Sequence, residues 1–70
     1  MRANGPAIRA MRERTGMTKT QLARATGIDR THLHRMESGE RQGTPAQLVA
    51  IAHILEVPVT VVSTSDRTVT

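Results

Sequence analysis

The chain has 70 residues, ten of them Lys or Arg against six Asp or Glu, for a formal net charge of +4, and it contains no Cys, Phe, Tyr or Trp. One small domain of this length buries only ~60% of the surface its unfolded form exposes, so Leu, Ile, Val, Met and Ala must supply a thin core. The absence of Cys excludes a disulfide scaffold, a cysteine-based zinc finger and thiol catalysis, and the absence of aromatic rings counts against modules that stack single-stranded bases. No apolar run approaches the ~20 residues of a membrane span, and Met1 to Pro6 lack the apolar segment of a signal peptide. The expectation is a soluble cytoplasmic protein.

The charge is unevenly placed. Residues 1–41 hold nine of the ten basic residues and four of the six acids, a net +5, whereas residues 42–70 hold Arg67 against Glu56 and Asp66, a net −1. Nine of the ten cations are arginine, whose planar fork suits phosphates and guanine edges better than a lysine point charge. A basic half joined to a near-neutral half suggests a surface that faces a polyanion; a solvated basic face is the plainer alternative.

Punctuation divides the first 56 residues into four short helices. Gly5-Pro6 opens the first, with Pro at the first helical position; Ile8 and Met11 share a face, and Gly16 caps the end. Thr18-Lys19-Thr20-Gln21 fits a capping box for the second helix, in which Leu22 and Ala23 follow and Gly27 stops the run. Asp29 is an N-cap for the third, Leu33 and Met36 give its buried stripe, and Ser38-Gly39 ends it. After a polar loop from Glu40 to Gly43, Thr44-Pro45-Ala46-Gln47 repeats the start signal. Leu48, Ile51, Ala52 and Leu55 then form the clearest amphipathic stripe, stopped by Glu56-Val57-Pro58.

Beyond that point two readings stay open. Val57, Val59, Thr60, Val61 and Val62 are β-branched and suit a strand, yet Val59 and Val62 are three apart, as one helical turn places them. The segment is either a fifth helix closing the core or an edge strand pairing with its twin across a two-fold axis. The reading adopted is a short helix ending at Val62, with homodimerisation through this C-terminal end. Residues 1–62 form the domain, and residues 63–70 are a polar tail that frays.

Lys19 to Met36 is the stretch that carries chemistry. A helix-turn-helix needs a small residue where its helices cross (Ala23), a turn residue tolerant of positive φ (Gly27) and an apolar plug after it (Ile28). It also needs inward anchors, here Leu22, Leu33 and Met36. The combination is far more specific than any one residue.

From Ile8 to Val62 the sequence resembles the lambda-repressor/Cro-like helix-turn-helix domain, the XRE family. The matching pieces are Ile8-Arg9-Ala10-Met11-Arg12, Thr18 to Ala23, Gly27-Ile28, Leu33 to Gly39, Ile51 to Leu55 and Val57. The resemblance implies an all-α bundle of four or five helices that binds DNA sequence-specifically, usually as a dimer controlling transcription. It also implies a structural ion pair between Arg12 and Glu37, and a phosphate contact just after the second helix cap, where this chain has Lys19 instead of the family's frequent Gln. In this motif the N-terminal residues of the second motif helix enter the major groove. Arg30, Thr31, His32 and Arg35 are the expected base readers, with His34 toward the flank. Thr18, Lys19 and Thr20 at one helix start, and Arg41 and Thr44 beyond the third helix, are the expected phosphate contacts. Arg9, Arg14 and Arg24 read as general surface charge.

Other chemistries find little support. His32 and His34 are two apart, so on a helix they point roughly 200° apart and cannot close on one metal. Ser38 and Ser63 have no base-and-orienter pattern. Met11, Met17 and Met36 lie where core residues belong. The expectation is therefore no catalysis, metal, cofactor or small-molecule substrate, with a double-stranded operator and a second copy as partners. The rival is an antitoxin or adaptor of the same fold acting through a protein partner.

Overall fold

Each of the four longer helices begins at a side chain that closes its own first turn. The computed structural model describes residues 2–64. Asn4 caps α1 (Gly5–Arg14) by accepting from the Ala7 amide at 3.2 Å. Thr18 and Gln21 close a reciprocal capping box at the head of α2 (Lys19–Thr26), and Thr44 and Gln47 do the same for α4 (Pro45–Leu55). Asp29 accepts from the amides of Thr31 and His32 to start α3 (Arg30–Ser38). Pro6 is the second residue of α1, one place later than the sequence suggests, a shift within the usual uncertainty of helix ends.

The stops follow the same logic. At Gly16 (φ +76°) the amides of Gly16 and Met17 reach back to the carbonyls of Glu13 and Arg12, and Gly27 (φ +75°) turns the chain between α2 and α3. The same device closes α4 at Glu56, which holds φ +58° without being glycine, a conformation that costs an L-residue about 1–2 kcal/mol.

Eleven residues form the buried apolar core: Ile8, Leu22, Ala23, Ile28, Leu33, Met36, Leu48, Ile51, Ala52, Leu55 and Val62. These include nearly every inward position read from the sequence. Met11 and Met17 lie at the edge of this core, half-buried. The connection between α2 and α3 is short, the two helices pack on one another, and Ala23 is buried.

The Val-rich segment takes the helical form, ending at Val62 as read from the sequence, and a short strand follows it. Val59–Val62 form α5, which buries Val62 completely, and Ser63–Thr64 form strand β2. The strand pairs antiparallel with β1 (Arg2–Ala3) of the same chain, Arg2 opposite Thr64 and Ala3 opposite Ser63. The pairing is within the molecule and involves none of the valines. The Asn4 amide adds a bond to the Val62 carbonyl at 2.9 Å. β2 carries regular structure past Val62; residues 65–70 of the expected tail lie outside the described residues.

Two contacts fix α1 against α3. Gly5 lies so close to the end of α3 that a Cβ there would come within 2.6 Å of the Met36 carbonyl oxygen and would also overlap that of Glu37. Further along, Arg12 Nε donates to Glu37 Oε2 at 2.8 Å and Nη2 to Oε1 at 3.1 Å, while Nη1 donates to the Met17 carbonyl at 2.9 Å. The two side chains are 9% and 3% exposed. The hydrogen bond to Glu37 raises the Arg12 pKa above its ordinary value, against the opposing effect of burial.

Gly5→Ala sets a methyl group against immobile backbone. It should cost about 2–3 kcal/mol, read from denaturant unfolding. Arg12→Met leaves the buried Glu37 carboxylate without its fork and should cost about 3–5 kcal/mol, with the double variant Arg12→Met/Glu37→Leu recovering part of that loss. Because the folded-state pKa of Arg12 is raised, its contribution is fully present below the unfolded-state value and disappears only as pH climbs through the folded one. Arg12 should therefore add no slope to stability between about pH 5 and 9.

Candidate nucleic-acid interface

Leu33 and Met36, both fully buried, together with Glu37 hold one side of α3 against the core. The remaining arc is free. Arg30, Thr31, His34 and Arg35 are exposed along it. By the helical repeat Arg30 and Arg35 stand roughly 140° apart with Thr31 between them, so the two guanidinium groups bracket a face and do not share one line. Arg35 lies 3.9 Å from Glu40 in an exposed pair, a contact of small worth. Arg30 lines an open groove with Thr20, Ala23, Arg24, Gly27 and Ile28. Arg24, read as general surface charge, therefore neighbours the expected readers, whereas Arg9 is paired with Glu13 at 3.2 Å.

His32 differs from its three companions. It is half-buried, and its Nε2 lies 3.3 Å from Gln47 Oε1, at the start of α4. Nothing in the sequence pointed to this contact, because Gln47 is fully explained by its capping role. Its amide orientation follows from that role: the Thr44 amide donates to Oε1 at 2.9 Å.

The expected phosphate contacts fall on two sides of α3. Thr18 and Thr20 are exposed at the head of α2, and Arg41 and Thr44 are exposed between α3 and α4. In the capping boxes the hydroxyls of Thr18 and Thr44 accept from the amides of Gln21 and Gln47 and keep their own protons to donate. These helix starts also present backbone amide and macrodipole, which attract anions. Lys19 is half-buried, with Nζ 2.8 Å from His34 Nδ1 across the gap between α2 and α3. The structure thus places exposed Arg30, Thr31, His34 and Arg35 of α3 between two helix starts, and ties one of the candidate phosphate contacts to α3 itself.

Among the described residues, no group of three His, Asp or Glu could hold a metal ion, and no helix is long and apolar enough to cross a membrane.

The family described as "Helix-turn-helix domain" matches residues 5–64. Among solved structures, the restriction-modification controller protein C.AhdI from Aeromonas hydrophila aligns with a TM-score of 0.78 and 24% identity, over 81% of this chain and 86% of that one. The restriction-modification controller protein C.Esp1396I is 33% identical over 77% of this chain and 71% of its own, with a TM-score of 0.71. The N-terminal DNA binding domain of SinR from Bacillus subtilis, 22% identical, aligns with a TM-score of 0.78 over 90% of this chain and 94% of that one. Among curated proteins no sequence match reaches significance. The family match to residues 5–64, together with the likeness to these solved structures, shows that this chain belongs to the helix-turn-helix domain family, in its XRE-type, lambda-repressor-like form.

Proposed function

We propose that this protein is a DNA-binding transcriptional regulator, acting as a repressor, that inserts α3 into the major groove of double-stranded DNA. The observation that carries the reading is the face of α3: exposed Arg30, Thr31 and Arg35 on a helix whose other side is fully buried. An immobile helix can present a fork to a base edge without first ordering itself, and each bidentate arginine–guanine contact is worth about 1–3 kcal/mol of discrimination. The similarity to a DNA binding domain and to two controller proteins supports the same reading. Thr18, Lys19 and Thr20 on one side, and Arg41 and Thr44 on the other, grip phosphates and fix the register of the helix on the duplex.

The protein acts as a homodimer on a near-palindromic operator, with half-sites about 34 Å apart. The chemistry is binding alone, with no catalysis and no cofactor, and the protein acts in the compartment that holds the DNA.

Binding to a mixed-sequence duplex at two salt concentrations tests the reading. Affinity should fall steeply with salt, with a logarithmic slope of about −0.9 per phosphate neutralised; negligible affinity at low salt would identify a protein adaptor instead. Arg30→Ala and Arg35→Ala should each weaken binding to a selected operator by about 1–3 kcal/mol and relax preference at one base position. Wild-type operator affinity in both variants would remove α3 from the groove. Lys19→Ala should weaken binding evenly across sequences and flatten the salt slope by about 1; a change confined to one base would contradict its role.

A further inference from the structure

The histidines two apart on α3 are unsuited to a shared metal, and their geometry suits a different task. The helical repeat sends them to opposite flanks. There each finds a partner at the head of a neighbouring helix: His34 meets Lys19, the first residue of α2, and His32 meets Gln47 in the first turn of α4. These are the two helix starts on which the phosphate contacts of the proposed function lie. We propose that His32 and His34 are positioning residues that hold the recognition helix between its two phosphate-gripping helix starts, and that the His34–Lys19 tie opens when His34 takes up a second proton. The inference rests on the DNA-binding reading for its consequence, but the ties themselves exist in the free protein.

The two ties differ in chemistry. Gln47 Oε1 can only accept, and it already accepts from the Thr44 amide. His32 therefore donates from Nε2, and it does so whether its ring is neutral or charged. The His34 tie has the opposite polarity. The Lys19 ammonium has only protons to give, so His34 Nδ1 must accept, which requires a neutral ring with its proton on Nε2. Protonation of Nδ1 removes the acceptor and places a second cation beside the first.

The surroundings do not cancel that repulsion. The cleft around His34 is lined by Lys19 of α2, Arg9 of α1, and Glu37 and Ser38 of α3. Arg9 is paired with Glu13, and both carboxylate oxygens of Glu37 are engaged by Arg12. Arg30 and Ser38 stand one turn before and after His34 on its own helix, with Arg35 adjacent. The nearest carboxylate on α3 is thus already committed. Once His34 takes up its second proton, Lys19 swings free and the site carries one more cation. Binding to any duplex then strengthens relative to binding to the operator, because the added charge is read by phosphates and the lost tie had set the register.

Nitrogen-15 spectra of the imidazoles in the DNA-free protein test the ties directly. At neutral pH, Lys19→Met should move the Nδ1 resonance of His34 and leave the His32 ring unchanged. An unmoved His34 overturns the tie whether or not the protein binds DNA, and a moved His34 in a protein without DNA affinity would instead sink the functional reading. With DNA, the operator to mixed-sequence affinity ratio of the wild type should fall several-fold from about pH 8 to about pH 5.5, and the mixed-sequence salt slope should steepen by up to about 0.9. His34→Gln keeps an acceptor that does not titrate, so its ratio should match the wild type at the upper pH and hold at the lower, with His32 and His53 left in place as controls. Identical pH profiles for wild type and His34→Gln overturn the proposal. His32→Gln keeps a donor for Gln47 and should retain the base preference of the wild type at every position; altered preference at a single base would make His32 a reader and overturn its part.

Discussion

The buried fork between Arg12 and Glu37 is the contact on which the orientation of α3 depends. Eleven aliphatic, methionine and alanine side chains can set how far α3 stands from its neighbours, but contacts of this kind are poorly directional. They would tolerate a helix rolled by tens of degrees about its axis. The guanidinium does not. Its two bonds to the Glu37 carboxylate and its third to the Met17 carbonyl use three of its nitrogens in one plane, so Glu37 can face only one way. Arg30, Thr31 and Arg35 are on the same rigid rod and take their direction from that choice. The pair adds little to net stability against an apolar replacement; its value lies in the angle it imposes.

The N-terminal approach of Gly5 makes the same joint from the other end. A side chain there would strike the last carbonyls of α3, so the first turn of α1 lies directly on the backbone of α3 and the fork forms two turns later. The small sheet completes this arrangement. β2 returns the chain after α5 to pair with β1, and the Asn4 amide bonds the Val62 carbonyl. That links the start of α1 to the fully buried Val62. A chain with no aromatic residue and a thin core thereby gains rigidity from directional contacts at its edges.

Much of the fold is legible in the sequence because its information is local. Thr18 with Gln21, Asp29, and Thr44 with Gln47 satisfy amides within one turn of themselves, and Gly16, Gly27 and Gly39 supply the positive φ that each stop requires. The core face of each helix follows from spacing alone. The link between Arg12 and Glu37 came from family resemblance, not from pattern, since the two residues are 25 apart and nothing local to either marks the other. Glu56 shows the limit of residue-type reading: it closes α4 in a left-handed conformation that composition would assign to glycine.

What the sequence alone determined, then, is the set of four longer helices, their starts and stops, the inward faces and the basic surface of the first 41 residues. All of these depend on neighbours within a few positions or on summed charge. Only the tertiary structure decided that a strand, Ser63–Thr64, follows the Val-rich helical turn, because the partner of that strand, Arg2–Ala3, lies at the other end of the chain. It decided also that His32 turns to Gln47 and Lys19 to His34, contacts between residues 15 apart. A polar side chain bonds to whichever group the packing brings near, and three-dimensional proximity of that kind leaves no periodic trace in the order of the residues.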